Sequence, residues 1–251
     1  MGKESVKKKP YSEIDMTEIP AVVTYPRSGT HWINGIMQVY LNGIYLPYDG
    51  TRPNVTSEDP LVIEWGLPSP SAPTEVLWYV THDFDLKYDC VHPYGVIFLF
   101  RNPIDSLYSN SSKLTKMNNN ATDNLCSKFK ALINKWVLSG KAKTVISYEE
   151  MEKTPMETMK KISKHFQKPF DQTRAEFAVR AMEKNLINSK PVPKVGKHQP
   201  AFGPVLLTNE YQNARVEYHK KHSDEIRNKI ITPENRAVLI EHIPSFFEDQ
   251  Y

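Results

Sequence analysis

Four short runs of β-branched and aromatic residues constrain the fold of this chain more than any other feature. They read "AVVTYP", "EVLWYVTH", "GVIFLFRN" and "KTVISYEE", and each is followed by polar or turn residues. Because their apolar character is nearly continuous, they predict strands that are buried on both faces. Helical patterns lie between and after them, and strands that alternate with helices favour a parallel sheet with right-handed crossovers. The sequence therefore predicts an α/β protein.

Several helices carry start and stop signals. In "TPMETMKKISKHF", Thr154 is a predicted N-cap, Pro155 stands at the first helical position, and Glu157 completes a capping box. The same Thr-Pro-Glu start recurs at Thr232, and Gly140 is expected to end the helix in "NLCSKFKALINKWVLSG". Two further stretches, the Pro-rich "TRPNVTSEDPLVIEWGLPSPSAP" and the polar "KLTKMNNNATDN", are predicted loops.

Composition favours one domain and excludes some function classes. At 251 residues the chain is long enough for a single α/β core, so we expect one domain over residues 1–251, with residues 1–18 as a flexible tail. The 32 basic and 29 acidic side chains nearly balance, which gives no case for nucleic acid as a partner. Cys90 and Cys126 are far apart and form no clustered motif, so neither a zinc site nor a disulfide framework is expected.

The sequence shows neither the pattern of a signal peptide nor that of a membrane span. The N-terminus "MGKESVKKKPYSEIDM" is polar and basic and holds no apolar signal-peptide core. No window approaches the roughly 18 apolar residues that a membrane span needs. We therefore expect a cytoplasmic protein that does not enter a membrane.

Parallel sheets bind ligands outside the carboxyl ends of their strands, which locates the chemistry in the residues after each run. After the first run, Ser28, Gly29 and Thr30 lead from a strand into a helix, an arrangement that lines up backbone N–H groups around an anion. A Walker A kinase loop is not present, because Thr30 follows Gly29 where that motif has Lys. The alternative to an anion site, which the sequence leaves open, is an ordinary turn between a strand and a helix.

Four blocks of this sequence resemble the cytosolic-type sulfotransferases. "TYPRSGTHW" resembles the 5′-phosphosulfate loop of that family, typically TYPKSGTTW, and "FRNPIDSLYS" is similar to its 3′-phosphate motif, RNPKDVAVS. "YVTHDF" resembles the VKTHLP segment that carries the catalytic His, and "VISYEEM" resembles FLxYEDM. The resemblance covers roughly residues 21–155. It implies a three-layer, P-loop-NTPase-like fold with a central parallel sheet flanked by helices.

The resemblance also implies an activity and a set of site residues. The activity is transfer of a sulfuryl group from 3′-phosphoadenosine 5′-phosphosulfate (PAPS) to a hydroxyl or amine of a small molecule, which leaves 3′-phosphoadenosine 5′-phosphate (PAP). His82 would be the catalytic base and Arg27 a second catalytic residue, with no metal required. The residues expected to bind the donor are Arg27, Ser28, Gly29, Thr30, His31, Trp32, Arg101, Ser109, Tyr148 and Lys197.

Each of these roles has a structural alternative. Arg101 closes an apolar strand, where its guanidinium needs either a phosphate or a salt bridge to Asp105. A His at a strand end is more often structural, but an ordinary pKa near 6.5 suits His82 to proton transfer, and the adjacent Asp83 could orient it. His219 and His222 lie in a basic helix and are predicted to be surface residues.

The sequence departs from the family pattern in two places. Arg27 stands where the family has Lys, so charge stabilisation is retained but proton donation is not, since Arg stays charged. The late RKGxxGDWK segment of the family has no clean counterpart. The nearest text is "PKVGKHQPAFGP", where Lys197 is the first candidate for a donor contact and Lys194 the second.

The acceptor is predicted only by class. Five aromatic residues flank the expected pocket and could stack on an aromatic or alkaloid-like molecule, or could be ordinary core: Tyr40, Tyr45, Tyr48, Trp65 and Trp78. A homodimer is compatible with the resemblance. The rival functions are a P-loop kinase, which would need ATP and Mg²⁺, and a PAP-binding module without turnover.

Overall fold

The computed structural model of the chain describes residues 15–47, 76–111, 119–181 and 209–248. The predicted Pro-rich loop and the predictions for Tyr48, Trp65, Lys194 and Lys197 lie outside the described residues. No helix in the described part of the chain is both long enough and apolar enough to cross a membrane.

The described residues form a five-stranded, fully parallel sheet with the strand order β2-β3-β1-β4-β5. The strands are β1 (Ala21–Thr24), β2 (Ile44–Pro47), β3 (Leu77–Thr81), β4 (Val96–Phe100) and β5 (Ala142–Ser147). Four of them coincide with the four predicted runs. Every residue of β1 and β4 is buried, as expected for strands covered on both faces.

Strand β2 was not predicted from the sequence. It is only four residues long, lies at the edge of the sheet and ends in Pro47, which has no N–H to donate to a ladder. Such a segment has little of the residue pattern that predicts a strand. Its pairing with β3 is a tertiary contact, which local sequence patterns do not reveal.

Helices cover both faces of the sheet. They are α1 (Thr30–Leu41), α2 (Pro103–Ser111), α3 (Asn119–Leu132) with a π-helical continuation (Ile133–Leu138), α4 (Tyr148–Lys153), α5 (Pro155–His165), α6 (Gln172–Ala181), α7 (Asn209–Ile230) and α8 (Pro233–His242). Short 3₁₀ helices span Met16–Glu18 and Pro244–Phe246.

The predicted helix ends are confirmed, but one of the predicted capping contacts is not formed. Helices α5 and α8 begin at the predicted prolines, and Thr232 forms a capping box, with Asn235 as its partner. The capping box at Thr154 was wrong, because the Thr154 hydroxyl donates to the Glu150 carbonyl at 3.1 Å instead of accepting from its own helix. Gly140 adopts a left-handed φ of 70° just after the helix, as predicted.

The prediction that the polar segment "KLTKMNNNATDN" is a loop was wrong for the second half of the segment. Helix α3 begins at Asn119, inside that segment, and continues into apolar residues such as Phe129 and Leu132 that are buried against the sheet. Burial of this apolar face stabilises the whole helix, including its Asn-rich first turn, which local propensity alone disfavours.

Two hydrophobic clusters lie on opposite faces of the sheet. Because side chains alternate along a strand, Val22 joins the cluster with α1, α5 and α6, while Val23 joins the cluster with α2, α3, α7 and α8. The result is the predicted three-layer architecture of helices, parallel sheet and helices.

Candidate active site

The sheet brings the four predicted segments together at one edge. The loop after β1, His82 after β3, Arg101 after β4 and Tyr148 after β5 follow strands that are neighbours in the order β3-β1-β4-β5. All these strands are parallel, so their carboxyl ends meet at the same edge.

The loop after β1 opens helix α1 with an uncapped N-terminus. Its N-cap residue is Gly29, which offers no side chain, and the first turn holds no acidic residue. The N-terminus of this twelve-residue helix therefore presents N–H groups and a favourable potential for an anion. The buried hydroxyl of Ser28 beside it has no hydrogen-bond partner among the described residues.

Gly29 lies so close to Tyr148 that no side chain fits between them. A Cβ atom on Gly29 would stand 2.7 Å from Cδ2 of Tyr148, and the residue has a left-handed φ of 89°. The Tyr148 ring also contacts Trp32, with ring centroids 5.5 Å apart. Two aromatic rings thus lie beside the helix N-terminus, and the Trp32 Nε1 atom is buried without a described partner.

His82 is oriented by Thr24. Its Nδ1 lies 2.8 Å from the Thr24 carbonyl oxygen and 3.0 Å from the Thr24 hydroxyl, which is in turn 2.9 Å from the Thr30 hydroxyl. A carbonyl only accepts, so Nδ1 carries the proton and Nε2 is the basic atom of the neutral ring. Burial lowers the pKa of His82, with the Thr24 backbone bond opposing, and this favours the neutral base near pH 7.

Asp83 does not orient His82, so that expectation was wrong. Its carboxylate accepts from Lys135 Nζ at 2.7 Å, from Trp136 Nε1 at 3.0 Å and from the Tyr88 N–H at 2.9 Å. Asp83 itself has a left-handed φ of 46°, and this turn directs consecutive side chains to different partners. Asp83 instead ties the loop after β3 to the π-helical segment.

Arg27 and Ser109 are in direct contact. Arg27 Nε donates to Ser109 Oγ at 3.0 Å, which joins the loop after β1 to helix α2. Arg27 has a φ of 65°, a left-handed conformation that costs a non-glycine residue about 1 to 2 kcal/mol. Strain of this kind persists only where the surrounding contacts enforce it, and it is concentrated at functional sites.

Arg101 contacts the Tyr148 ring and lies at the limit of ion-pair distance from Asp105. Its guanidinium carbon lies 4.2 Å from the Tyr148 ring centroid, and Nη2 is 3.9 Å from the nearer Asp105 oxygen. Arg101 Nε is buried and has no acceptor among the described residues. Of the two alternatives for this side chain, the salt bridge to Asp105 is long and incomplete.

Asp105 is bound instead by helix α7. Arg215 donates to both carboxylate oxygens, at 2.6 and 2.8 Å, and His219 Nε2 lies 2.8 Å from one of them. The surface prediction for His219 was therefore wrong, since only 4% of that residue is exposed. Sequence reasoning missed Arg215 altogether. Arg215 and His219 are four residues apart in the sequence, a spacing that places them on one face of a helix and could have indicated a shared partner.

A buried carboxylate that was not predicted also lies beside Arg101. Glu149 Oε1 accepts from the Asn102 N–H at 2.9 Å, and its Oε2 is buried without a described partner. Burial raises the pKa of Glu149, although the Asn102 bond opposes this. Buried polar atoms without partners are costly, so their concentration around Ser28, Trp32, Arg101 and Glu149 indicates a surface built to bind a polar ligand.

The other predicted residues are distributed more widely. His31 lies exposed in the first turn of α1. Tyr40 and Trp78 are core residues: the Tyr40 hydroxyl is 2.7 Å from Ser163 Oγ, and Trp78 Nε1 donates to Asn34 at 2.7 Å. Neither can line an acceptor pocket while it keeps these contacts.

Comparison with known proteins identifies a fold. No protein-family model matches the sequence, and a comparison with curated proteins also finds no match. Among solved structures, the chain is similar to that of mouse sulfotransferase SULT7A1 complexed with PAP, with 15% identity and a TM-score of 0.55 over 91% of this chain and 90% of that one. The chain therefore has the predicted three-layer, P-loop-NTPase-like fold, and that solved structure has a similar fold.

Proposed function

We propose that this protein is a sulfotransferase that uses PAPS to sulfate a hydroxyl or amine of a small molecule. One observation carries the proposal: the residues of four separate sequence blocks, Arg27, His82, Arg101 and Tyr148, meet at the carboxyl ends of four adjacent parallel strands. The likeness to a PAP-bound sulfotransferase supports it. A cytoplasmic location and an aromatic or alkaloid-like acceptor belong to the same proposal.

The residues at this edge would suit a nucleotide that carries phosphate groups on both the 3′ and the 5′ position of its ribose. The N-terminus of α1, with Ser28 and Thr30, would hold the 5′-phosphosulfate. Arg101 and Ser109 would hold the 3′-phosphate, for which the buried Arg101 Nε is an available donor. The aromatic pair Trp32 and Tyr148, whose ring centroids lie 5.5 Å apart, would contact the adenine.

The side chains divide the chemistry between a base and a source of positive charge. His82 would accept the acceptor's proton at Nε2, because the Thr24 carbonyl holds the other ring nitrogen in its protonated form. Arg27 and the N-terminus of α1 would stabilise the negative charge that develops as the bond to sulfur breaks. When bound, PAPS supplies the activated sulfuryl group.

Nucleotide preference separates this proposal from a kinase. Isothermal titration with PAP, AMP and ATP–Mg²⁺ is expected to give at least tenfold tighter binding of PAP than of AMP, because one charge-assisted hydrogen bond to the 3′-phosphate contributes about 1.5 to 3 kcal/mol. ATP–Mg²⁺ is expected to bind more weakly than PAP. Tightest binding of ATP–Mg²⁺ would favour the kinase, and equal binding of PAP and AMP would exclude a 3′-phosphate site.

Arg101→Ala is expected to weaken PAP binding by about 10- to 150-fold and AMP binding by less than threefold, since only PAP carries the 3′-phosphate. The same titration measures both affinities. Lys141→Ala is the matched control, because Lys141 pairs with Asp89 at 3.1 Å on the exposed surface just before β5. Equal losses for PAP and AMP in Arg101→Ala would mean that Arg101 is only structural.

Gly29→Ala is expected to lower stability and to weaken PAP binding. The left-handed φ costs about 1 to 2 kcal/mol, which corresponds to a Tm lower by about 2 to 8 °C. The added methyl group would also displace the Tyr148 ring. Gly140→Ala is the control: its φ is 70° but nothing lies within 4 Å of the new Cβ, so it should lose similar stability and keep PAP affinity. Unchanged PAP binding in Gly29→Ala would mean that the packing of Tyr148 against this loop does not shape a nucleotide site.

A further inference from the structure

A buried carboxylate links the candidate 3′-phosphate site to helix α7. Asp105 is 6% exposed and contacts Arg215 at 2.6 and 2.8 Å, His219 at 2.8 Å and Arg101 at 3.9 Å. These four residues are named the Asp105 cluster. Arg101, Asp105 and Ser109 follow one another at four-residue intervals, so the cluster lies directly beside the residues proposed to hold the phosphate.

The Asp105 cluster keeps a net positive charge. Burial opposes ionisation of Asp105, but the hydrogen bonds from His219 and Arg215 and the nearby guanidinium charges hold its pKa well below the ordinary value. Within the cluster, one carboxylate charge therefore stands against the two guanidinium charges of Arg101 and Arg215; the Glu149 carboxyl group beside Arg101, whose pKa burial raises, lies outside the cluster. The surplus charge suits a phosphate ligand.

Arg215 contacts Asp105 much more closely than Arg101 does. Arg215 binds both carboxylate oxygens with the planar, bidentate geometry that is strong between guanidinium and carboxylate. Arg101 is left at 3.9 Å, with its buried Nε unpaired among the described residues. Among the described residues, an Asp105 carboxylate that lost Arg215 would keep its contact with His219, and the guanidinium left within reach would be that of Arg101.

We propose that Arg215 is a positioning residue for the 3′-phosphate site: by occupying both oxygens of Asp105, it keeps the Arg101 guanidinium available to the ligand. This inference rests on the proposed function, and it assigns to α7 a part in nucleotide selectivity. Arg215 acts through Asp105 and need not touch the phosphate itself.

A double-mutant cycle tests this role by titration with PAP and AMP. Arg215→Met is expected to weaken PAP binding about tenfold or more, the effect of losing one charge-assisted hydrogen bond, while AMP binding changes less than threefold. Adding Asp105→Asn removes the competing charge, so the double variant should recover PAP affinity to within about threefold of the unchanged protein. Lys220→Met is the control, because it removes an exposed cation from the same helix.

The outcomes are distinct. A double variant that stays as weak as Arg215→Met would overturn the proposal, because Arg215 would then contact the phosphate itself. Equal losses of PAP and AMP affinity, or none, would make Arg215 merely structural and overturn it as well. If the unchanged protein does not prefer PAP to AMP, it is the proposed function that fails.

A conservative variant covers the case in which Arg215→Met does not fold. Arg215→Lys keeps a positive charge beside Asp105 but lacks the planar fork that pairs with both carboxylate oxygens. The preference for PAP over AMP is then expected to fall severalfold and to recover when Asp105→Asn is added. A preference that stays at the level of the unchanged protein in Arg215→Lys would contradict the need for bidentate pairing.

Discussion

His82→Ala is expected to lower kcat by about 10²- to 10⁴-fold, the range that a positioned general base contributes, and to leave PAP affinity within a few-fold of the unchanged protein. The reason is geometric. His82 Nδ1 bonds the Thr24 carbonyl at 2.8 Å, so Nε2 is the basic atom, and burial keeps the ring neutral near pH 7. Steady-state kinetics gives kcat, and titration with PAP gives the affinity.

The pH profile is the control for this assignment. Protonation of His82 removes the base, so kcat should fall as the pH drops through the pKa of His82. Burial lowers this pKa from its ordinary 6.5, so the acid limb should lie below pH 6.5 and should be absent from the residual activity of His82→Ala. His92→Ala, on the loop before β4, should leave both kcat and the profile unchanged. A near-normal kcat in His82→Ala would place the base elsewhere.

Arg27→Met is expected to lower kcat by about 10²- to 10³-fold, the effect of removing one donor that stabilises developing negative charge. Donor affinity should fall less, because the N-terminus of α1 and Arg101 remain. Arg27→Lys should retain most of the activity, since the role proposed here needs charge and not a transferable proton. Measurement of kcat at saturating PAPS compares the variants.

The hydrogen bond between Arg27 and Ser109 allows a second test of the role of Arg27 in transfer. Arg27 Nε donates to Ser109 Oγ at 3.0 Å, so part of any loss could come from a displaced Ser109. Ser109→Ala in the Arg27→Met background should then add little to the loss in kcat, while Lys160→Met, an exposed charge deletion on α5, should cost nothing. An Arg27→Met enzyme with unchanged kcat would mean that the loop binds nucleotide without assisting transfer.

The sequence was sufficient for four of the five strands and for the positions of the four segments. Buried parallel strands are nearly continuous apolar runs, and the rule that ligands bind at their carboxyl ends predicts that Arg27, His82, Arg101 and Tyr148 lie near one another. Strand β2 was missed because a four-residue edge strand ending in proline has almost no local signal.

The contacts that orient the site could not be predicted, because they join residues far apart in the chain. Asp83 is next to His82 in sequence, yet its carboxylate binds Lys135, and Thr24 orients the ring instead. His219 looked like a surface residue in a basic helix, but Asp105 is 114 positions away and accepts from it. Local periodicity predicts which face of an element is buried; it does not identify the partner across the interface.

Turnover of PAPS without a divalent metal tests the proposed function most directly. The purified protein is incubated with PAPS in EDTA and with a phenol, a steroid, an alkaloid or an aliphatic amine, and PAP and the sulfated product are measured by liquid chromatography and mass spectrometry. The expected result is PAP released in equal amount to one sulfated product, from at least one acceptor class, and lost in His82→Ala. Phosphate transfer from ATP that EDTA abolishes, or no sulfated product from any of the four classes, would contradict a sulfotransferase.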